Sequence, residues 1–275
     1  MKKFVSITSY AVIFSISAGI TPIANAASTT LHGVLRDFSP GPLVAGSTNP
    51  DFEIGVGGVN PGLVASTLTG NSPTAISFGS PGYITSPASF AEWYGSAAPS
   101  IPYIITLNET APGSGIYSYS NNSFFPLDGL LLDNYGSSGH NFHFTYQISA
   151  NFDYQPGAGQ TFSFTGDDDV WVFFDKKLGV DLGGVHSAAS QSVNMDTFFG
   201  PDKPAGNYSF DFFFAERHTT QSNLSITTSL NLTPVPEPEI YAMLMVGLGL
   251  IGFVSRHRKI VERHGSSRDW CGRPA

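Results

Sequence analysis

The stretch Gly166-Asp167-Asp168-Asp169-Val170-Trp171-Val172-Phe173-Phe174-Asp175-Lys176-Lys177-Leu178-Gly179-Val180-Asp181-Leu182-Gly183-Gly184-Val185-His186 decides the fold. Three successive carboxylates run straight into an apolar β pattern, Val170 to Phe174. A polar turn, Asp175-Lys176-Lys177, follows, and a second short strand, Leu178 to Leu182, ends on Gly183-Gly184. Turn residues between two β-type runs predict a hairpin with an acidic loop at its mouth. Three adjacent carboxylates repel one another, so a fold that orders them needs a cation or strong donors nearby. The competing reading is a solvated turn in an acidic protein.

Outward from this hairpin the same period of two recurs. Upstream, Phe142, Phe144, Tyr146 and Ile148 share one face of a run that starts at His140, and Phe162 and Phe164 alternate with Thr161, Ser163 and Thr165. Tyr117 and Tyr119 alternate with Ser118 and Ser120 before an aromatic turn at Phe124 to Asp128. Downstream, Tyr208, Phe210, Phe212 and Phe214 share a face, and Leu224 to Leu232 alternates again. Six or so alternating strands with short turns and no helical stripe predict an all-β sandwich whose core is mostly aromatic. Closer to the N-terminus, Leu31 to Phe38 and Ile101 to Leu107 read as strands. Between them Pro40 to Pro87 is full of breakers, which predicts long irregular loops.

The two ends differ from this middle. Met1 to Ala26 has a basic start, an apolar run and the small-residue pattern Ala24-Asn25-Ala26, the layout of a secretory signal peptide. The predicted domain occupies 27–233. After it, Pro234 to Glu239 is a stiff linker, Ile240 to Val254 is apolar, and Arg256-His257-Arg258-Lys259 is basic and by charge bias stays cytoplasmic. Fifteen residues are short for a full span, which suits a transient membrane helix better than a permanent anchor. Residues 260–275 form a further tail.

Charge and cysteine content narrow the partners. The chain carries a net charge of −8 with only 12 % charged residues, so nucleic acid and anionic lipid surfaces are excluded as expected partners. A single cysteine, Cys271, precludes an intramolecular disulfide. An exported domain of this kind must rely on its core and on any bound metal.

Two resemblances emerge from these residues. Pro236-Glu237-Pro238, the apolar run and the basic cluster with Arg256, Arg258 and Lys259 closely resemble a PEP-CTERM sorting signal at 234–259. That resemblance implies a Gram-negative protein exported by the Sec pathway. It also implies transient passage through the inner membrane, processing by an exosortase, and a destination at the cell surface or in the extracellular matrix. The remainder resembles a fibro-slime domain, a relative of the PA14 β-sandwich. The resemblance rests on Arg36-Asp37-Phe38, Pro50 to Glu53, Trp93-Tyr94, Phe124 to Asp128, Gly139 to Thr145, Phe164 to His186, and Ala215 to Thr220 with Ser222-Asn223. In PA14-like lectins two adjacent aspartates joined by a cis peptide ligate calcium, which grips sugar hydroxyls. Asp167-Asp168 lie where that pair would be, and Asp169 stands where many relatives have glycine.

The resemblance therefore implies calcium as cofactor and carbohydrate as ligand. The candidate calcium ligands are Asp167, Asp168, Asp169 and Asn223, with Asp181 as a further possible donor. Trp171 and His186 are the candidate ligand-binding side chains. Trp171 would stack on a sugar only from an open face; core packing is the role its strand position favours. A zinc reading of His140, His143, His186 and His218 is weaker, because His140 and His143 would point to opposite faces of a strand. Glu216-Arg217 is expected as a paired charge at a sheet edge that holds a loop, with a ligand-facing role as the alternative. No Gly-x-Ser-x-Gly elbow is present, and adjacent aspartates cannot flank a glycosidic bond from both sides, so no enzyme is expected. The expected function is calcium-assisted binding of exopolysaccharide or glycan in a biofilm or floc. The alternative is a structural matrix protein that self-associates without sugar specificity.

Overall fold

The computed structural model describes residues 26–40, 48–79, 83–132 and 139–235. The expected signal peptide up to residue 25, most of the sorting signal and the tail lie outside the described residues, so Pro236, Glu237, Pro238, Arg256, Arg258 and Lys259 receive no structural account. Among the described residues no helix is long and apolar enough to cross a membrane.

The chain is an all-β sandwich. Its strands are β1 (Ser28–Asp37), β2 (Ser100–Glu109), β3 (Tyr117–Asn121), β4 (Phe144–Tyr154), β5 (Thr161–Asp167) and β6 (Asp169–Phe174). They continue with β7 (Lys177–Leu182), β8 (Ala189–Asn194), β9 (Gly206–Glu216), β10 (Asn223–Thr228) and β11 (Leu232–Pro234). One continuous path runs β7-β6-β9-β4-β1-β2-β3-β10-β5-β8, with β11 paired to β4. The path folds back on itself, so inward aromatics of β5 meet those of β9: Phe162 lies 5.3 Å from Phe210 and Phe164 lies 5.7 Å from Phe212, centroid to centroid. These spacings are those of favourable aromatic pairs, which supply the core. The two end strands are stitched by one side chain: Gln191 accepts from the Asp181 amide at 2.9 Å and donates to the Gly179 carbonyl at 3.2 Å.

The hairpin of β6 and β7 forms as the sequence predicts. Its turn places Asp175 and Lys176 at φ of 50° and 64°, the pair of positive values that matches the twist of a two-residue hairpin. The apolar run Val170 to Phe174 is buried on both faces. Val170, Val172 and Phe174 face the core between the two layers. Trp171 and Phe173 face a second core built from Phe38, Phe52, Leu63, Val64, Leu68, Ile84, Phe90 and Trp93. The irregular stretch before β2 is therefore a packed layer that covers the outer face of β6 and β9. It also holds a short helix, α1 (Pro87–Trp93), capped by Ser86 and Ser89 with proline at its first position. Seven residues are too few to show a helical stripe, which is why the sequence gives no sign of it. A second short helix, α2 (Met195–Phe199), follows β8.

Strand β4 begins at Phe144, and the expected alternating run begins earlier, at His140. Before it, backbone and side chains are held by local polar contacts, and Phe142 packs edge-on against Phe125 at 4.8 Å, outside the main core.

Candidate functional site

The acidic triplet sits where the chain crosses from one layer to the other. Strand β5 ends at Asp167, paired to Asn223 of β10, and β6 begins at Asp169, paired to Ala215 of β9. Asp168 is the link, and the peptide bond between Asp167 and Asp168 is cis. The crossing is tight: a Cβ on Gly166 would lie 2.2 Å from the Asn223 carbonyl oxygen, so only glycine lets β10 approach here. All three aspartates are buried, at 3 %, 3 % and 0 % exposure, which rules out a solvated acidic turn.

Each carboxylate has its own partners. Asp167 accepts from the Asn223 amide at 2.6 Å and from the Asn223 side-chain amide at 2.8 Å. Asp168 accepts one backbone N–H on each oxygen, from His186 at 3.1 Å and from Arg217 at 2.8 Å. Asp169 accepts from Gly184 N–H at 2.6 Å and from Arg217 Nε at 2.5 Å. The Arg217 guanidinium is fully buried, donates Nη1 to the carbonyls of Asp51 and Tyr83 at 3.0 Å, and lies 4.8 Å over the Trp93 ring. Asp169 is thus matched to a guanidinium that is itself saturated, and it is the least available of the three to a cation. As a calcium ligand it is corrected to a structural anchor, because its second oxygen is held in an ion pair with 0 % exposure on both sides.

The next strand residue behaves differently. Glu216 does not pair with Arg217 as expected; the two side chains leave β9 in opposite directions because alternate residues of a strand point to opposite faces. Its side chain is fully buried, Oε1 accepts only a long 3.4 Å contact from His218 N–H, and Oε2 has no hydrogen-bond partner. The buried hydroxyl of Ser222 lies beside it and eases the Glu216 charge, short of the geometry of a good hydrogen bond. Burial, and then the carboxylates of Asp168 and Asp167, push the Glu216 carboxyl well above its ordinary range. Burial also raises Asp168 to about 7, against the opposing pull of Arg217, and raises Asp167, against its hydrogen bonds from Asn223. Four buried carboxyl groups, those of Asp167, Asp168, Asp169 and Glu216, therefore share one buried guanidinium. An isolated buried charge is costly, which favours the protonated form of Glu216 and Asp168 unless a cation joins them.

Trp171 is a correction. It is fully buried, stands 5.7 Å from Phe90 and 6.1 Å from Trp93, and donates Nε1 to Asp181 at 3.1 Å. No face of it is open to a sugar ring. Asp181, on β7 opposite Trp171, takes that bond and one from Gly62 N–H at 2.8 Å. His186 remains at the site, 5 % exposed, with Nδ1 and Nε2 facing the carbonyls of Ser187 at 2.8 Å and Leu182 at 3.2 Å. The other histidines disperse: His140 meets Asp128 at 2.6 Å, while His143 and His218 lie 2.8 Å and 3.5 Å from Glu53. Among the described residues no group of three or more His, Cys, Asp or Glu side chains is arranged to hold a metal unaided. Sequence reasoning found the triplet, Asn223 and His186. It missed that Glu216 and Ser222 end buried beside them, and the only signal was their place just beyond an aromatic strand.

Comparison with known proteins adds two findings. Residues 234–259 match the PEP-CTERM protein-sorting motif. The motif implies export and membrane-associated sorting in Gram-negative bacteria, and it is consistent with an exosortase as processing partner. The chain is also similar to psi proteins of Dictyostelium discoideum. It is 41 % identical to protein psiQ over 221 residues, covering 74 % of this chain and 21 % of psiQ. It is 37 % identical to protein psiC over 242 residues, covering 80 % and 44 %, and 50 % identical to protein psiD over 141 residues, covering 48 % and 27 %. The chain thus spans less than half the length of these curated relatives. No solved structure matches. An exported all-β domain with homologues in psi proteins, followed by a PEP-CTERM motif, is what these findings establish.

Proposed function

We propose that the chain is a non-catalytic surface or matrix module of fibro-slime, PA14-like type that binds carbohydrate with the help of calcium at Asp167-Asp168. The observation that carries the reading is the buried Glu216 carboxyl, which meets no cation and only the Ser222 hydroxyl and a long N–H contact, beside two buried aspartates. The donors are of the type a hard cation takes, because every group is an oxygen: the carboxylates of Asp167, Asp168 and Glu216 and the hydroxyl of Ser222, though as placed these acids do not yet close into a cluster of three. Three carboxylates fall short of the six to eight oxygens calcium prefers, so backbone carbonyls, the Asn223 side chain and ligand hydroxyls complete the set. Calcium, when bound, supplies positive charge and open coordination positions for sugar hydroxyls. The chain's own residues do the positioning. Asn223, His186 and Arg217 fix the aspartates through N–H donors, and Arg217 withholds Asp169 from the set. His186, at the rim, is the side chain within reach of a bound sugar.

Calorimetric calcium titration, paired with melting curves in calcium and in chelator, tests this. The expected result is saturable binding with a raised melting temperature, and glycan-array signals that vanish in chelator and in Asp168→Ala. Absence of calcium binding, with chelator leaving the melting temperature unchanged, sinks the reading. Concentration-dependent assembly without any glycan signal would move the assignment to a self-associating matrix protein.

A further inference from the structure

A clamp at the start of the sheet takes no part in the acidic crossing. Glu109 closes β2 and stands opposite Ala27, just beyond the Ser28–Asn108 pair of β1 and β2. Its backbone N–H donates to the Ala27 carbonyl at 2.8 Å, and its Oε2 accepts from the Ala27 nitrogen at 3.0 Å. One acidic residue thus holds both backbone polar atoms of Ala27. The other oxygen, Oε1, accepts from Gly115 N–H at 2.8 Å. Gly113 and Gly115, at φ of 76° and 66°, bend the β2–β3 turn so that this amide reaches back. Glu109 is the one charged side chain between Ser100 and Leu127. Among the described residues it forms no ion pair with a lysine, arginine or histidine side chain. The N–H donors of Ala27, and then of Gly115, hold its carboxyl below the ordinary range, so it is ionised at neutral pH. The strand that presents Ala27 is fixed from elsewhere: Leu31 is fully buried, and Thr29 Oγ1 donates to the Leu232 carbonyl at 3.0 Å.

Ala27 is also where the small-residue pattern Ala24-Asn25-Ala26 places the end of the leader. We propose that Glu109 is the receptor for the N-terminus made by maturation: cleavage after Ala26 sets an α-ammonium on the Glu109 carboxylate and closes the β1–β2 end with an ion pair. In that cleavage water adds across the Ala26–Ala27 amide. Its oxygen leaves with Ala26 as a carboxylate, and its two protons stay on the Ala27 nitrogen. The atom that Oε2 already contacts thereby changes from an amide with one N–H to an ammonium with three and a unit charge, since an α-amine titrates near pH 7.7–8.0. A charge-assisted bond replaces a neutral-donor one at the same place. The inference rests on the leader reading of residues 1–26 and is independent of calcium and of carbohydrate.

The test uses the full chain, exported from a Gram-negative host with its leader in place. N-terminal sequencing of the exported protein should begin Ala27-Ser28-Thr29. The terminal amine is then labelled with trace acetic anhydride at pH 7, and the terminal peptide is quantified by mass spectrometry. Ala27 is exposed, so reagent reaches the amine and its protonation sets the rate. The native chain should label about threefold more slowly than Glu109→Gln, because a carboxylate that raises the amine pKa by about half a unit lowers the free amine by that factor. In urea the two should label alike. Inserting Gly-Ser between Ala26 and Ala27 moves the new amine about 7 Å outward. In that chain Glu109→Gln should no longer change the rate. A terminus other than Ala27 overturns the proposal at its first step. Equal labelling of native and Glu109→Gln chains that both begin at Ala27 overturns the ion pair. A difference that survives the insertion comes from net charge and overturns it too. Glu109→Gln should leave the calcium titration unchanged, and Asp168→Ala should leave the labelling rate unchanged, so the two readings fail separately.

Discussion

Asp169 with Arg217, and Asp168 with Glu216, are neighbours along the same two segments, yet they solve burial in opposite ways. On one side a carboxylate meets a guanidinium at 2.5 Å, and that guanidinium also ties down the loop carbonyls of Asp51 and Tyr83. On the other, two carboxyl groups are buried without a paired cation, and Glu216 has only the Ser222 hydroxyl and a long N–H contact at hand. The strand period creates the difference: Arg217 turns toward the loop layer and Glu216 away from it. The lesson is that a saturated ion pair builds the fold, whereas an unsaturated one is where a ligand is expected.

The largest effect should come from breaking the saturated side. Arg217→Met leaves Asp169 buried and unpaired, and removing one partner of a buried pair costs about 3–5 kcal/mol. Urea denaturation is the measurement. Adding Asp169→Asn to it removes the stranded charge and should recover part of the loss. If the single variant costs no more than an ordinary surface change, the Arg217 contacts are not holding the loop layer.

The unsaturated side is read by pH. An acid whose folded-state pKa is raised keeps its proton in the native chain at pH values where the unfolded chain has lost it. Its stabilising contribution is therefore full below the unfolded value and is lost as pH rises through the folded value. Asp168, raised from 3.8 to about 7, sets a window between those limits, and Glu216 adds to the same sign. The chelated protein should melt several degrees higher at pH 5 than at pH 8. Asp37, buried and raised to about 6, contributes in the same direction. The discriminating comparison is therefore Asp168→Asn, which should flatten the slope without abolishing it. A slope unchanged by that substitution would place the pH dependence elsewhere.

A smaller and more selective effect is expected of Glu216→Gln. Because burial keeps the native carboxyl protonated, the amide is a close isostere and the chelated protein should melt almost unchanged. Calcium affinity should fall at least tenfold, about 1.4 kcal/mol, because a charged ligand oxygen is gone. Unchanged affinity in the titration would remove Glu216 from the ligand set.

Much of this arrangement could be read before any coordinates. Period-two alternation gave β5, β9 and β10, and the Asp-Lys turn gave the β6–β7 hairpin, because side chains facing one core must repeat every second residue. Core packing of Trp171 is the favoured reading, but what covers it on the far side of β6 was not legible. Its covering layer comes from Phe52, Leu63 and Phe90, which sit among glycines and prolines with no period to read. The same blindness hid α1. At the site, adjacency marked the three aspartates as unusual but gave them one fate. Which would be neutralised depended on Arg217, forty-eight residues from Asp169 in sequence, and only the β6–β9 pairing brings it there.

The contrast between saturated and unsaturated charge is sharpest when set against a pair at the surface. Lys203 pairs with Asp175 and sits 3.9 Å over the Tyr208 ring, with both charged side chains partly exposed. Water already solvates each partner, so the pair gains little over its separated parts. Lys203→Met should cost less than about 1 kcal/mol, since exposed ion pairs contribute 0–1 kcal/mol. The methionine stem keeps the packing on Tyr208, leaving only the charge term to be lost. Salt separates the two cases further. The small Lys203 effect should shrink between low and high ionic strength, because exposed charges are screened within about 10 Å at 0.1 M. The Arg217 loss should not, because ions do not penetrate where both partners have 0 % exposure. If salt erased the Arg217 effect instead, the acidic crossing would be open to solvent and the case for a cation held there by burial would collapse with it.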